Sequence, residues 1–120
     1  MKAESILKDK SYQFAIAIVK LAQNLQGVNR EFVLSKQILR SGTAIGAIIR
    51  EGELAQSKPD FINKMSQALK EANETDYWLD LLNDTNYLTR EQHINLSQQC
   101  KELIAMLVAT VKTAKNNLKK

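Results

Sequence analysis

Few residues in this chain carry the chemistry a reaction needs, and their spacing argues against one. His93 is the sole histidine and Cys100 the sole cysteine. A di-iron site of the helical-bundle kind is built from two Glu-x-x-His pairs. Glu71 and Glu74 have no histidine at that spacing, so neither a metal site nor a cofactor is expected. Cys100 would act as a nucleophile only with a base beside it. It falls on an apolar helical stripe, where a buried, inert thiol is the usual finding. His93, close to a predicted helix start, reads as a surface or cap-adjacent residue. Gly42-x-x-x-Gly46 is no phosphate loop, because no strand precedes it and no Gly-Lys-Ser/Thr follows. The missing parts predict a non-enzymatic chain.

Charge is the richer signal. After Glu102 the only ionisable side chains are Lys112, Lys115, Lys119 and Lys120, the first three on one helical face at i, i+3, i+7. Residues 71–84 contain Glu71, Glu74, Asp76, Asp80 and Asp84 and no basic residue. In an up-down bundle Lys8, Lys10 and Lys58 join the C-terminal lysines at one end, while Asp80 and Asp84 lie at the other. The expectation is a polarised protomer, basic at the terminal end and acidic at the turn after the third helix. The lysines suit contacts with nucleic-acid phosphates, or simply complement the helix dipole as a solvated tail. For the aspartates three destinations are open: Lys36 and Arg40 of the neighbouring helix, another subunit, or solvent. The net charge of +4 permits nucleic-acid binding without requiring it.

The elements that must position these groups are helical. One proline and four glycines in 120 residues argue against a turn-rich β fold. The expectation is a single domain over residues 1–120. A lone cysteine, the lack of an apolar leader and the lack of a run of roughly 20 apolar residues suggest a cytoplasmic chain that does not span a membrane. Helix 1 is expected over about 8–26, with Phe14, Ile18, Leu21 and Leu25 on one face and Gly27 as its stop. Helix 2 spans about 33–55, with Asn29 or Ser35 as its N-cap. Helix 3 spans about 58–83, opened by Ser57, Pro59 and Asp60. Helix 4 spans about 90–116, opened by the capping box Thr89-Arg90-Glu91-Gln92. Short connections make this an all-α, antiparallel, up-down-up-down four-helix bundle.

Within helix 2, residues 41–51 stand apart. Gly42 and Gly46 share a face in the middle of a helix, where each glycine costs about 1 kcal/mol relative to alanine. Such a patch lets another backbone come close, in this chain or in a copy of it. Helices 1 and 2 also carry more apolar surface than one small bundle hides. Glu71, Glu74 and Trp78 share a flank of helix 3 at i, i+3, i+7. With Gly42, Gly46, Arg40, Arg50 and Glu51 they are candidates for a helix-packing or subunit seam, the carboxylates meeting Arg40 or Arg50.

These same residues carry a resemblance. Gln37-x-x-Arg40-Ser41-Gly42-Thr43-x-Ile45-Gly46-Ala47-x-Ile49-Arg50-Glu51, then Gln56-Ser57-Lys58-x-Asp60-Phe61, then Ala68-Leu69-Lys70-Glu71-Ala72-x-Glu74-Thr75-x-Tyr77-Trp78-Leu79, resemble the four-helix bundle proteins of intervening sequences in bacterial 23S rRNA genes. The resemblance covers nearly the whole chain. It implies a homopentameric ring, and kinship with basic accessory proteins of diversity-generating retroelements, whose partners are nucleic acid and a reverse transcriptase. Two positions depart from the family pattern: Ala44 stands where serine is usual and Ile48 where asparagine is usual, which favours an apolar seam there. The function expected is a non-enzymatic homo-oligomer, most simply a pentamer, that binds structured RNA or DNA through Lys8, Lys10, Lys58, Lys112, Lys115, Lys119 and Lys120. The alternative is an adaptor ring with a protein partner.

Overall fold

The structure is a computed structural model that describes residues 2–119, with side chains from Ile6 onward. Its four helices are α1 (Lys2–Gly27), α2 (Leu34–Glu53), α3 (Lys58–Asp84) and α4 (Arg90–Leu118). Cross-helix pairs give their directions. From Glu51–Lys64 to Arg40–Glu71, numbers fall on α2 as they rise on α3. Cys100–Ala72 and His93–Asp80 do the same for α3 and α4, and Gln26–Ser35 against Lys8–Glu53 for α1 and α2. Each helix is therefore antiparallel to the next, and the bundle measures 51 × 22 × 20 Å.

Local signals set most of the helix ends. Ser57 accepts a hydrogen bond from the Asp60 amide at 3.1 Å, and Asp60 accepts one from the Gln56 amide. Thr89 and Gln92 exchange both bonds of a capping box. The start of α2 is made differently from the expectation. Neither Asn29 nor Ser35 caps it; the Glu31 carboxylate reaches forward to the amides of Val33, Leu34 and Ser35 at 3.2, 3.0 and 2.7 Å. Burial opposes ionisation of Glu31, but those three amides and the Ser35 hydroxyl hold its carboxyl below the usual range. Helix α1 begins six residues before the expected Lys8. Leu7 is 1% exposed and extends the stripe of Ser11, Phe14 and Ile18 by one turn.

One core runs the length of the bundle. Phe14, Ile18 and Leu25 of α1 meet Ile38, Ile45 and Ile49 of α2; Met65, Leu79 and Leu82 of α3 and Leu103 and Leu107 of α4 complete it. The small residues of α2 face inward. A Cβ on Gly42 would lie 2.8 Å from Cγ2 of Ile18, and one on Gly46 would lie 3.5 Å from the backbone of Ser11. Gly42 therefore sets the α1–α2 distance, whereas a Cβ on Gly46 would meet that backbone at ordinary contact distance and only the Ser11 hydroxyl closely, at 3.3 Å. Gly52 instead accommodates the end of Met65, from α3.

Gly42 and Gly52 should answer differently to alanine. Gly42→Ala drives a methyl into a β-branched side chain that is fully buried, an overpacking cost of about 1–3 kcal/mol that outweighs the gain of about 1 kcal/mol in helix propensity. Gly52→Ala meets the flexible tip of a methionine, which can swing aside, and should leave stability equal or higher. Urea unfolding of the two variants reads the contrast, and equal losses would show that Met65 is as confined as Ile18.

Candidate functional site

Three sets of polar groups lie on this frame. The first joins α2 to α3. The Arg40 guanidinium contacts Glu71 at 3.1 Å and also pairs with Glu74. The Trp78 indole N–H donates to Glu74 at 3.2 Å. Burial works against the Arg40 charge, but hydrogen bonds to Glu74 and Glu71 carry its pKa above the ordinary guanidinium value. Beneath this cluster, Ser41 and Thr75 are both fully buried with their hydroxyls 2.9 Å apart. Thr75 also lies 2.8 Å from the Glu71 carbonyl. A hydroxyl has one proton to give, so Ser41 donates to Thr75 and Thr75 donates to the carbonyl. The cluster is complete within one chain. Arg50 is not part of it: its guanidinium lies over the Tyr12 ring of α1, 5.1 Å from the centroid. Glu51 pairs with Lys64 at 3.1 Å.

The second set joins α3 to α4, and it revises the expectation for the aspartates. Asp76 pairs with Lys101 at 3.0 Å and Asp80 lies 3.0 Å from His93. Neither reaches Lys36 or Arg40. The hydrogen bond to Asp76 raises the Lys101 pKa. Asp84 has no ion-pair partner among the described residues. Nor is that end simply acidic, since Arg30, Lys36 and Arg90 are exposed there beside Asp84 and Glu91. Cys100 lies deeper, its thiol donating to the Ala72 carbonyl at 3.2 Å. Burial, helped by Asp76, pushes that thiol up to about 12.

The third set is the lysines. Lys8 pairs with Glu53 at 3.5 Å and Lys10 with Glu102 at 3.0 Å. Two of the expected phosphate contacts are thus held by carboxylates of the same chain. Lys58, Lys112, Lys115 and Lys119 are exposed and have no such partner among the described residues; Lys120 lies outside those residues. Between the α2–α3 turn and the last turns of α4 runs an open groove of about 670 Å³, floored by Phe61 and Met106 and edged by Lys58, Thr113 and Ala114. Among the described residues no group of three or more potential ligands is placed to hold a metal ion. No described helix is long and apolar enough to cross a membrane.

An antiparallel bundle tied from α2 to α3 by Arg40 and a buried hydroxyl pair, with small residues lining α2, defines the class. Residues 3–109 match the 23S rRNA-intervening sequence protein family, and the chain belongs to that family. It is similar to a crystal structure of a protein of unknown function from the S23 ribosomal protein family of Bacteroides thetaiotaomicron. The two share 54% identity and superpose with a TM-score of 0.90 over 92% of this chain and 98% of the other. A comparison with curated proteins gives no match. Lys112, Lys115 and Lys119 lie beyond the residues matched by the family.

Sequence reasoning missed the Glu31 cap, the Lys101–Asp76 pair and the Ser41–Thr75 bond. The last had a signal, two small hydroxyl residues on the inward faces of adjacent helices. The Lys101–Asp76 pair had none short of knowing which flank of α3 meets α4, and the Glu31 cap had none because the carboxylate acts from outside the helix through a long side chain.

Two measurements follow. Trp78 is the only tryptophan, so its fluorescence reports on the Arg40 cluster alone. Arg40→Ala leaves two carboxylates facing each other and should shift the emission, with a stability loss of about 1 kcal/mol because the arginine is 51% exposed. An unchanged spectrum would mean that the cluster does not hold the indole in solution. Cys100, with its thiol near 12, should react with a thiol reagent at pH 8 only as fast as the protein opens. Immediate stoichiometric labelling of folded protein would contradict its burial.

Proposed function

We propose that the chain is a non-enzymatic, homo-oligomeric bundle, a pentameric ring as the family resemblance implies, that binds structured RNA or DNA through its free lysines. The observation that carries the nucleic-acid reading is the face formed by Lys112, Lys115 and Lys119, exposed and uncompensated on the last turns of α4. Lys58 at the start of α3 adds to it. Lys8 and Lys10 contribute less, each already beside a carboxylate. Assembly is supported by the outer flank of α1, where Tyr12 is 50% and Val19 36% exposed with half-buried Ile16 between them. These three residues share a face at i, i+4, i+7. Closing that flank against a copy would remove apolar surface from water and multiply weak phosphate contacts around a ring.

The protein-adaptor reading loses its main support. Of the five acidic residues in 71–84, Glu71 and Glu74 are engaged by Arg40, Asp76 by Lys101 and Asp80 by His93. The bases are not read in the proposed mode, because phosphates supply the affinity, so binding is sequence-tolerant and salt-sensitive.

Fluorescence anisotropy with a structured ribosomal RNA fragment across a salt series tests the reading, on protein whose native mass spectrum is expected to show a closed multimer. Reversing Lys112, Lys115 and Lys119 to glutamate should lower affinity at least about tenfold at low salt and flatten the log–log salt slope by about one unit per lysine. The multimer should persist. Unaltered binding would remove the lysine face from the mechanism, and a monomeric spectrum would remove the ring.

A further inference from the structure

At the bundle end opposite the chain termini, the α1–α2 loop is held rigidly while it presents apolar side chains to water. Glu31 binds three amides, the Glu31 amide donates to Leu25 O at 3.0 Å, and Gln26 bridges to Ser35 at 3.1 Å. Arg30 takes a left-handed conformation, φ 56°, which arginine adopts rarely. On this braced loop Val28 is 75%, Val33 71% and Phe32 42% exposed. The Arg30 guanidinium lies 5.3 Å from the centroid of the Phe32 ring and has no carboxylate partner among the described residues. Fixed apolar side chains under an unpaired charge have paid their ordering entropy before any partner arrives, which is how a binding surface is preorganised.

Across the same end lies Asp84, the last residue of α3. A carboxylate there opposes the helix dipole, and Asp76 and Asp80, its predecessors at four-residue spacing, are both engaged by α4. Nothing within the chain compensates Asp84 among the described residues. Glu91 is exposed beside it at the start of α4, with Arg90 as the one neighbouring cation on that side. The two connections lie at similar height: measured from the Ser41–Thr75 bond, α2 starts at Leu34 about 10 Å away and α3 ends at Asp84 about 14 Å away in the same direction. One end thus carries an apolar patch with Arg30 and Lys36 on the α1–α2 side, and Asp84 and Glu91 beside the single cation Arg90 on the α3–α4 side.

Such a surface is complementary to itself. We propose that two copies meet end to end through it about a two-fold axis, Arg30 of each facing Asp84 of the other, with Val28, Phe32 and Val33 of each loop covered by the other copy's α3–α4 turn. Two-fold symmetry makes every cross contact occur twice, so a single charge change acts twice. The cross-section of 22 × 20 Å limits the contact to roughly 400 Å² per copy, below what a permanent dimer uses. The pairing is therefore weak and salt-sensitive. It is independent of any contact made by the bundle flanks, and it doubles whatever assembly they form.

Sedimentation velocity from about 10 μM to 1 mM at low salt tests it. Wild-type protein should show a concentration-dependent doubling of mass that high salt suppresses. Arg30→Asp and Asp84→Arg should each abolish the doubling, and the double variant should restore it. Both positions are exposed, aspartate tolerates the left-handed conformation, and arginine suits a helix C-terminus, so circular dichroism should show all three folded. A wild-type mass constant over the range overturns the proposal and leaves the loop for a different protein. Single variants that still double, or a double variant that does not recover, overturn the Arg30–Asp84 contact.

Discussion

Helix α2 is packed from two sides, and it can be so packed only because its side chains are small where the neighbours come closest. Ile18 occupies the space a Cβ on Gly42 would need, and Ser11 presents its backbone to Gly46. One turn and a half further on, Gly52 does the same for Met65 of α3. These positions give up helix propensity, about 1 kcal/mol each. The return is close dispersion contact along two seams at once, since atoms that approach within 4 Å gain little singly but much together. The core depends on this. Ile38, Ile45 and Ile49 can be fully enclosed only if both α1 and α3 close down on α2.

Close approach leaves the polar groups to set register. A glycine patch tolerates sliding, whereas paired hydroxyls and ion pairs do not. Thr75 and Ser41 meet at 2.9 Å in the interior, and a slip of one residue would leave the buried Ser41 hydroxyl without its partner, while Thr75 kept its bond to the Glu71 carbonyl. Outside them Arg40 gathers Glu71 and Glu74, and Glu51 takes Lys64 near the opposite end of α2. On the far side of α3, Asp76 and Asp80 do the same work with α4. Exposed pairs of this kind add little stability. Their value lies in penalising alternatives, because a shifted α3 would draw its carboxylates away from Arg40, Lys101 and His93.

This division of α3 explains what the sequence could and could not convey. The core stripe from Phe61 to Leu82 is legible because helical periodicity alone fixes it, and Ser57 and Thr89 are legible because each cap is a local pattern. Periodicity also separates the two acidic flanks, one bearing Glu71, Glu74 and Trp78, the other Asp76, Asp80 and Asp84. It does not say which flank meets α2 and which meets α4. That depends on the hand in which the bundle turns, a property of the whole assembly of helices, so Lys36 or Arg40, another subunit and solvent all stayed open for the aspartates, and Asp76 and Asp80 meet Lys101 and His93. The start of α2 was illegible for a different reason. Glu31 acts from outside the helix through a long side chain, whereas the usual N-cap pattern looks for a short oxygen-bearing residue at the cap itself. The early start of α1 was hidden by the charged residues around Leu7, which mask one more turn of an apolar stripe.

The same distinction between paired and unpaired charge governs the surface. A lysine beside a carboxylate presents a dipole whose field fades quickly, and Lys8 and Lys10 are of this kind. Lys112, Lys115 and Lys119 have no such partner among the described residues. Successive members are separated by about 4.5 and 6 Å along the helix axis, less than the Debye length of about 8 Å at physiological salt. Their potentials therefore add, and the three lysines form one continuous patch of positive potential rather than three separate charges. Position on the last turns of α4 strengthens the case for reach: side chains there project past the packed core instead of lying against it. The chain carries only +4 overall, yet what a polyanion meets at close range is set by how charges are grouped. A modest total, with Glu51, Glu53, Glu71, Glu74, Asp76 and Glu102 paired to cations within the chain, can still present a basic surface at one end.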